Sequence, residues 1–374
     1  MMDKDLRVLS IFGTRPEAVK MAPVVHQLAH TQGIRSSVCV TAQHREMLDQ
    51  VLDLFEIEPD FDLDLMRPDQ SLSGLTAAVF TDLDPVICDL KPDWIIIQGD
   101  TTTVMCAALL GYYHRVRVGH VEAGLRTANK WHPFPEEINR RLASVVTDLH
   151  FAPTVWAKGN LLNEGIPEDQ IVVTGNPVID ALQKVISQPY DLTKDVLSGV
   201  RQDQRVILVT AHRRENFGEP LRNIFRALRE IADHYCDSVV MIYPVHLNPN
   251  VTGPAHEMLG NVPNIRLIEP LDYLPMVHLM ARSYLVLTDS GGLQEEAPAL
   301  GSPVLVMRQV TERPEAIEAG TARLVGTDTE RIIQHTHRLM DDPREYKTMA
   351  KAINPYGDGH ASERIVKALL DKST

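Results

Sequence analysis

Acidic side chains that could move protons sit immediately after apolar runs in this sequence, where a parallel α/β sheet presents its ligands. Residues 94–98 run into Gly99-Asp100 and three threonines, and residues 116–120 run into Val121-Glu122-Ala123-Gly124. Asp100 taken alone fits a helix N-cap, a position that Asp favours. Glu122 has no such structural explanation. Farther on, Pro133-Phe134-Pro135 leads into Glu136 and Glu137 at the start of a helix, where one of the pair complements the helix dipole. Asp100, Glu122 and one of the Glu136–Glu137 pair thus place carboxylates where a ligand would collect.

Basic residues and glycines at other run ends suit anion binding. After residues 6–12 comes Gly13-Thr14-Arg15-Pro16-Glu17-Ala18-Val19-Lys20. Gly13 permits a tight turn, Pro16 suits the first helical position, and Arg15 and Lys20 lie in the opening turns, where the dipole disfavours cations unless an anion is bound. In the second half His212 follows the run 205–210, and Asp289-Ser290-Gly291-Gly292 joins a run to a helix. Such a turn lets backbone N–H groups approach a phosphate closely. Glu296 lies one turn into that helix and Arg313 follows the next run. Two phosphates and a ribose would use this array.

Absences narrow the chemistry. There is no GxGxxG fingerprint for a nicotinamide cofactor, no GxxxxGK[ST] and no HExxH, so no cofactor and no metal are expected. His26 and His30 have helical spacing but no third ligand near them in sequence, and an exposed helix face accounts for them. The four cysteines form no CxxC pair, as in a reduced cytoplasmic protein. With 50 acidic against 37 basic residues and a net charge of -13, a polyphosphate backbone would be repelled, and no nucleic-acid partner is expected. Asp3 and Asp5 precede the first apolar run, unlike the layout of a signal peptide. No apolar stretch approaches the roughly 20 residues needed to cross a bilayer, so no membrane role is expected.

These residues need elements to carry them. Short β-branched runs alternate with helix-patterned stretches along all 374 residues, the signature of βαβ units. The first set of strands is read at 6–12, 37–41, 94–98, 116–120, 149–152 and 171–174. The second set is read at 205–210, 239–244, 265–269, 284–288, 303–307 and 322–325. The expected organisation is an N-terminal Rossmann-like domain over 1–182, a linker over 183–204 where periodicity lapses, and a C-terminal Rossmann-like domain over 205–358. The fold class is α/β: two doubly wound parallel-sheet domains facing a cleft. Residues 361–370 read as one further amphipathic helix.

The motifs FGTRPEAVKMAP, TAQHREML, GDTTT, GHVEAGLRT, PFPEEINRR, AHRRENFG, YPVHLNPN, LTDSGGLQEEAP, TERPEA and NPYGDG together resemble the non-hydrolysing UDP-N-acetylglucosamine 2-epimerases. The resemblance runs nearly end to end. It implies a GT-B type fold, a homodimer, and interconversion of UDP-N-acetylglucosamine with UDP-N-acetylmannosamine for surface polysaccharide synthesis. Arg15, Lys20, His212, Ser290, Gly291, Gly292, Glu296 and Arg313 would hold UDP. Asp100, Glu122 and Glu136 would handle protons beside the sugar, with His212 counted among the catalytic residues. Leu271 and Met276 stand at the uridine end, where some relatives have Gln and an aromatic residue. Gln43 matches an activator site that some members use, whereas Glu46 and Asp69 differ from the residues found there. The segment 359–374 would cross back to the first domain. A hydrolysing epimerase and a GT-B glycosyltransferase share much of this machinery, and a nucleotide-sugar sensor would need no carboxylates at 100, 122 and 136.

Overall fold

The computed structural model describes residues 5–41, 45–65, 67, 70–127 and 129–373, without the side chains of 45 and 46. The chain forms two compact units, Met1–Gln183 with Tyr356–Thr374, and Lys184–Pro355. The second unit is thus one continuous segment set between two pieces of the first.

The first unit is built on seven strands: β1 (Leu6–Phe12), β2 (Ile34–Val40), β3 (Phe61–Asp62), β4 (Trp94–Gln98), β5 (Arg117–Val121), β6 (Leu149–Ala152) and β7 (Ile171–Val173). Their spatial order is β3-β2-β1-β4-β5-β6-β7, and the pairings are parallel. Every residue of β4 is buried, because a parallel sheet is covered by helices on both faces and its central strands need an apolar residue at nearly every position. Its polar exception is Gln98, at the tip.

The second unit repeats the scheme with β8 (Arg205–Thr210), β9 (Val239–Pro244), β10 (Ile265–Ile268), β11 (Ser283–Thr288), β12 (Val304–Val306) and β13 (Ala322–Leu324). The order is β10-β9-β8-β11-β12-β13. In both sheets the direction of winding reverses between two central strands, β1 and β4 in one and β8 and β11 in the other. Loops leaving the carboxyl ends of those strands diverge to opposite faces and leave room for a ligand between them. The residues singled out for chemistry lie on these loops and their neighbours.

The helix Ala361–Asp371 buries Ile365, Val366 and Leu369 in the first unit. Its first amides are capped from far away in sequence: Ala361 N–H and Ser362 N–H donate to the Asp180 carboxylate at 3.2 and 2.8 Å. The returning chain passes close to the end of β7. A β-carbon on Gly175 would lie 3.3 Å from Gly357 Cα, and Asn176 N–H donates to Tyr356 C=O at 2.7 Å. Gly175 and Gly357 both have positive φ, so neither position takes a side chain without strain. Within 183–204, the helix Pro177–Ile186 ends and Leu192, Val196 and Leu197 are buried.

Candidate active site

Glu122 is the first residue past β5. It is 8 % exposed and has φ +62°, a left-handed conformation that costs a non-glycine residue about 1 kcal/mol or more. Its surroundings impose that geometry. Gln98 Nε2, at the tip of the paired strand β4, donates to Oε1 at 3.1 Å, and Asn176 Nδ2 donates to Oε2 at 2.7 Å. Lys20 Nζ, from the helix Arg15–Ala29, forms an ion pair with Oε2. Two residues earlier, His120 is fully buried, and burial lowers its pKa to about 4. The neutral ring donates from Nε2 to Gly99 C=O at 2.7 Å, which ties the turn before Asp100 to β5.

Asp100 does not cap the helix that follows; Thr101 does, by accepting from Val104 N–H. The carboxylate of Asp100 is paired instead with Arg140, and Asn139 Nδ2 donates to its backbone carbonyl at 3.1 Å. Both partners come from the helix Glu136–Val146, which the Pro133–Pro135 turn starts. Glu137 does more than complement that helix's dipole. It is fully buried, accepts from Thr127 N–H at 3.0 Å and Arg141 Nε at 2.9 Å, and lies 3.5 Å from Arg140 Nη1. It fixes the arginine that holds Asp100. Glu136, at the first helical position, is half-buried.

The turn after β1 carries its own anion. Glu17 closes a capping box with Thr14, and its Oε2 accepts from both Gly13 N–H and Thr14 N–H at 2.8 Å. Thr101 Oγ1 donates to Oε1 at 2.6 Å. These two amides are therefore occupied by a carboxylate of the chain itself. Arg15, at the start of the helix, and Lys20 remain as the cationic groups. Burial is the largest influence on Glu17 and raises its pKa despite the four hydrogen bonds.

In the second unit the loops after β8 and β11 are tied by Asp289, fully buried. Its carboxylate accepts from His212 N–H at 2.9 Å, Arg213 N–H at 2.8 Å and Asn216 Nδ2 at 3.0 Å. The His212 ring lies with Nδ1 3.7 Å from Asp289 Oδ1. Burial lowers the pKa of His212, with Asp289 opposing that effect. Ser290 occupies the N-cap position of the helix Gly291–Ala299, its side chain making no capping bond to the helix amides. The guanidinium of Arg313 lies against Gly291, where a β-carbon would come within 2.7 Å of Nη1, and Arg313 Nε donates to buried Glu295 at 2.5 Å. A β-carbon on Gly292 would meet Glu296 Oε1 at 3.1 Å, and Glu296 Oε2 accepts from Tyr273 OH at 2.8 Å.

The first unit thus gathers Lys20, Asp100 and Glu122 with their partners, and the second gathers His212, Ser290, Gly291, Gly292, Glu296 and Arg313. Leu271 precedes the helix Tyr273–Arg282, and Met276 lies half-buried within it. Gln43, the side chain of Glu46 and Asp69 lie outside the described residues. Sequence reasoning missed Glu17, Gln98, Asn176, Arg140, Asp289 and Glu295 as site residues. Glu17 was findable, since Thr14-x-x-Glu17 is a capping-box signature; the others have partners too distant in sequence for any local signal. Among the described residues no cluster of three His, Cys, Asp or Glu is placed to hold a metal, and no helix is long and apolar enough to cross a membrane.

Two parallel α/β domains of this order, with charged side chains at both switch points, are the architecture of the two-domain GT-B class. A family model described as UDP-N-acetylglucosamine 2-epimerase matches residues 26–370. The UDP-N-acetylglucosamine 2-epimerase of Yersinia pestis is 54 % identical over 371 residues, covering 97 % of this chain and 98 % of its own. The crystal structure of UDP-GlcNAc 2-epimerase from Neisseria meningitidis bound to UDP-GlcNAc is 51 % identical, with a TM-score of 0.92 over 98 % of this chain and all of that one. A structure of S. aureus MnaA with UDP is 45 % identical, with a TM-score of 0.90 over 98 % of this chain and 97 % of the other. The chain belongs to the UDP-N-acetylglucosamine 2-epimerase family, whose members are isomerases.

Proposed function

We propose that this protein interconverts UDP-N-acetylglucosamine and UDP-N-acetylmannosamine without releasing free sugar, as a cytoplasmic homodimer supplying surface polysaccharide synthesis. The observation that carries the reading is the pairing of two strand-tip carboxylates with cations, Asp100 with Arg140 and Glu122 with Lys20, in a chain of this family. The second unit binds the nucleotide through His212, the Ser290–Gly292 turn, Glu296 and Arg313. The first unit carries Arg15, Lys20 and the groups that move protons, Asp100, Glu122 and Glu136.

The chemistry of the sugar sets the route. Carbon 2 is not adjacent to a ketone or ester, so simple deprotonation would leave a carbanion with no enolate to spread its charge. Elimination avoids this. A carboxylate takes the carbon 2 proton, the C–H electrons form a double bond to carbon 1, and the C1–O bond breaks with its pair leaving on UDP. The diphosphate then adds back to carbon 1 of the 2-acetamidoglucal while a proton returns to carbon 2 on the opposite face. Cationic groups around the diphosphate, with Arg313 and His212 foremost, stabilise the charge that develops on the leaving group.

One experiment tests this: incubation with UDP-N-acetylglucosamine in deuterated water, with oxygen-18 in the sugar–phosphate bridge. Deuterium should enter carbon 2 of the product and the label should scramble into non-bridging positions. A bridge label that stays fixed during epimerisation would rule out elimination, and free N-acetylmannosamine as the product would make the enzyme a hydrolysing one. Support for the dimer is an apolar stripe on the first unit, Ile138, Leu142 and Val145 along one face of the helix Glu136–Val146, with Val145 79 % exposed. Trp131 and Phe134 add a ring pair 5.8 Å apart just before that helix. Sedimentation equilibrium should return twice 41.9 kDa; a monomer at micromolar concentration would refute the dimer.

A further inference from the structure

We propose that Gln98 and Asn176 are positioning residues that keep Glu122 ionised and aimed, so that Glu122 enters the reaction as the proton acceptor. The inference rests on the function proposed above and goes beyond it by giving Glu122 its direction of proton transfer and by naming the groups that set it. A carboxylate that receives hydrogen bonds is stabilised in its charged form, whereas a carboxyl group acting as an acid must first spend its own proton on an acceptor. Three donors reach the Glu122 carboxylate: Gln98 Nε2 on Oε1 at 3.1 Å, Asn176 Nδ2 on Oε2 at 2.7 Å and Lys20 Nζ on Oε2. The two amides differ from Lys20 in carrying no charge. They raise no competing attraction for a diphosphate and cannot lose a proton themselves. They supply polarity and direction only.

Their seating supports a role in orientation. Gln98 is the last residue of β4, 2 % exposed, opposite Val121 in the β4–β5 register. Asn176 is 1 % exposed. Its Oδ1 accepts from Val178 N–H at 3.2 Å, so the amide's donor end is left for Glu122, and its own N–H is bonded to Tyr356 C=O. Glu122 is thereby gripped from β4, from the helix after β1 and from the turn after β7, with strained backbone holding its own end. Among the charged or titratable groups facing it are Lys20 from that helix and His120 from β5, on which the Glu122 charge acts. Both are unchanged in the variants below, so differences between variants report the amides.

The test is the pH dependence of kcat for wild type, Asn176→Ala and Gln98→Met, with Glu122→Gln as reference. Removing a donor destabilises the carboxylate, raises the pH at which it ionises and moves the acid limb of kcat upward, by about one pH unit for one hydrogen bond to a charged group. UDP affinity should stay within about twofold, because both amides donate to Glu122 and act on the proton-transfer step through it. An acid limb unmoved in both variants would overturn the proposal, as would losses of kcat and UDP affinity in equal measure. If Asn176→Ala fails to fold, because Val178 N–H loses its acceptor, Gln98→Met carries the test alone. Glu122→Gln separates the two levels of inference: near-normal turnover there removes Glu122 from the reaction, whereas its inactivity beside unmoved limbs removes only the positioning role.

Discussion

At position 291 the Arg313 guanidinium occupies the space that a β-carbon would take. In Gly291→Ala the new methyl would sit 2.7 Å from Nη1, and the guanidinium would have to leave the place fixed by Glu295. UDP affinity should fall about tenfold or more, the worth of a hydrogen bond to a charged group. Calorimetric titration with UDP checks this, and an unchanged Kd would show that Arg313 binds elsewhere. His212 gives a second residue-scale expectation. Burial holds its pKa below the ordinary 6.5, so the free enzyme presents a neutral ring at neutral pH. A diphosphate beside it would raise that pKa. UDP binding should therefore take up protons in the window between the lowered free value and the raised bound one, and the uptake should vanish well above that window. Binding enthalpies in two buffers of different ionisation heat, measured over a series of pH values, report it; no buffer dependence anywhere in the series would place the diphosphate away from the ring.

Among the elements, the capping box at the start of the helix Arg15–Ala29 shows how much of the fold was legible and where legibility stopped. Strand tips, helix starts and the repeating βα order were readable because apolar runs and turn residues are local signals. The strand β3 was not, since two residues, Phe61 and Asp62, leave no periodicity to detect. Likewise Thr14 and Glu17 are three residues apart and readable, but the bond from Thr101 to Glu17 spans 84 positions and exists only once β1 and β4 pair. That bond fastens the loop of Asp100 to the loop of Arg15. Glu17 also titrates in a direction that stability must follow. Its folded pKa is raised above the ordinary 4.5, so the folded state gains stability as pH falls from neutral toward 4.5, where the protonated carboxyl is preferred. Wild type should gain in Tm relative to Glu17→Gln over that range, the variant lacking the titration. A constant difference between the two melting curves would show that Glu17 has an unshifted pKa.

For the whole molecule, the split of the first unit into Met1–Gln183 and Tyr356–Thr374 makes the two units unequal under truncation. Ile365, Val366 and Leu369 are each 2 % exposed or less, and losing three such side chains from a core removes roughly 5–9 kcal/mol. That is comparable to the whole stability of a domain, about 5–15 kcal/mol. A chain ending at residue 355 should therefore fail to fold its first unit, while the segment 184–355 should fold alone, being continuous and having its own core around β8 and β11. Circular dichroism and proteolysis of the fragments check this. A fragment 1–183 with a cooperative melt would show that the last helix is dispensable.

The crossing at Gly175 and Gly357 also determines how the molecule should respond to being stretched. Both chain ends lie in the first unit, and the strands leading into and out of the second meet where Asn176 N–H bonds Tyr356 C=O at 2.7 Å. A load applied between the ends would run through the first unit's sheet and its last helix, and would bypass the second unit, which hangs from that pinned junction as a closed loop. In a single-molecule extension experiment the first unit should rupture first, releasing the junction, and only then should the second unit feel tension and open. The site carrying the carboxylates would yield before the Ser290–Gly292 turn, and an extension trace in which the second unit opens first would show that the junction bears no load.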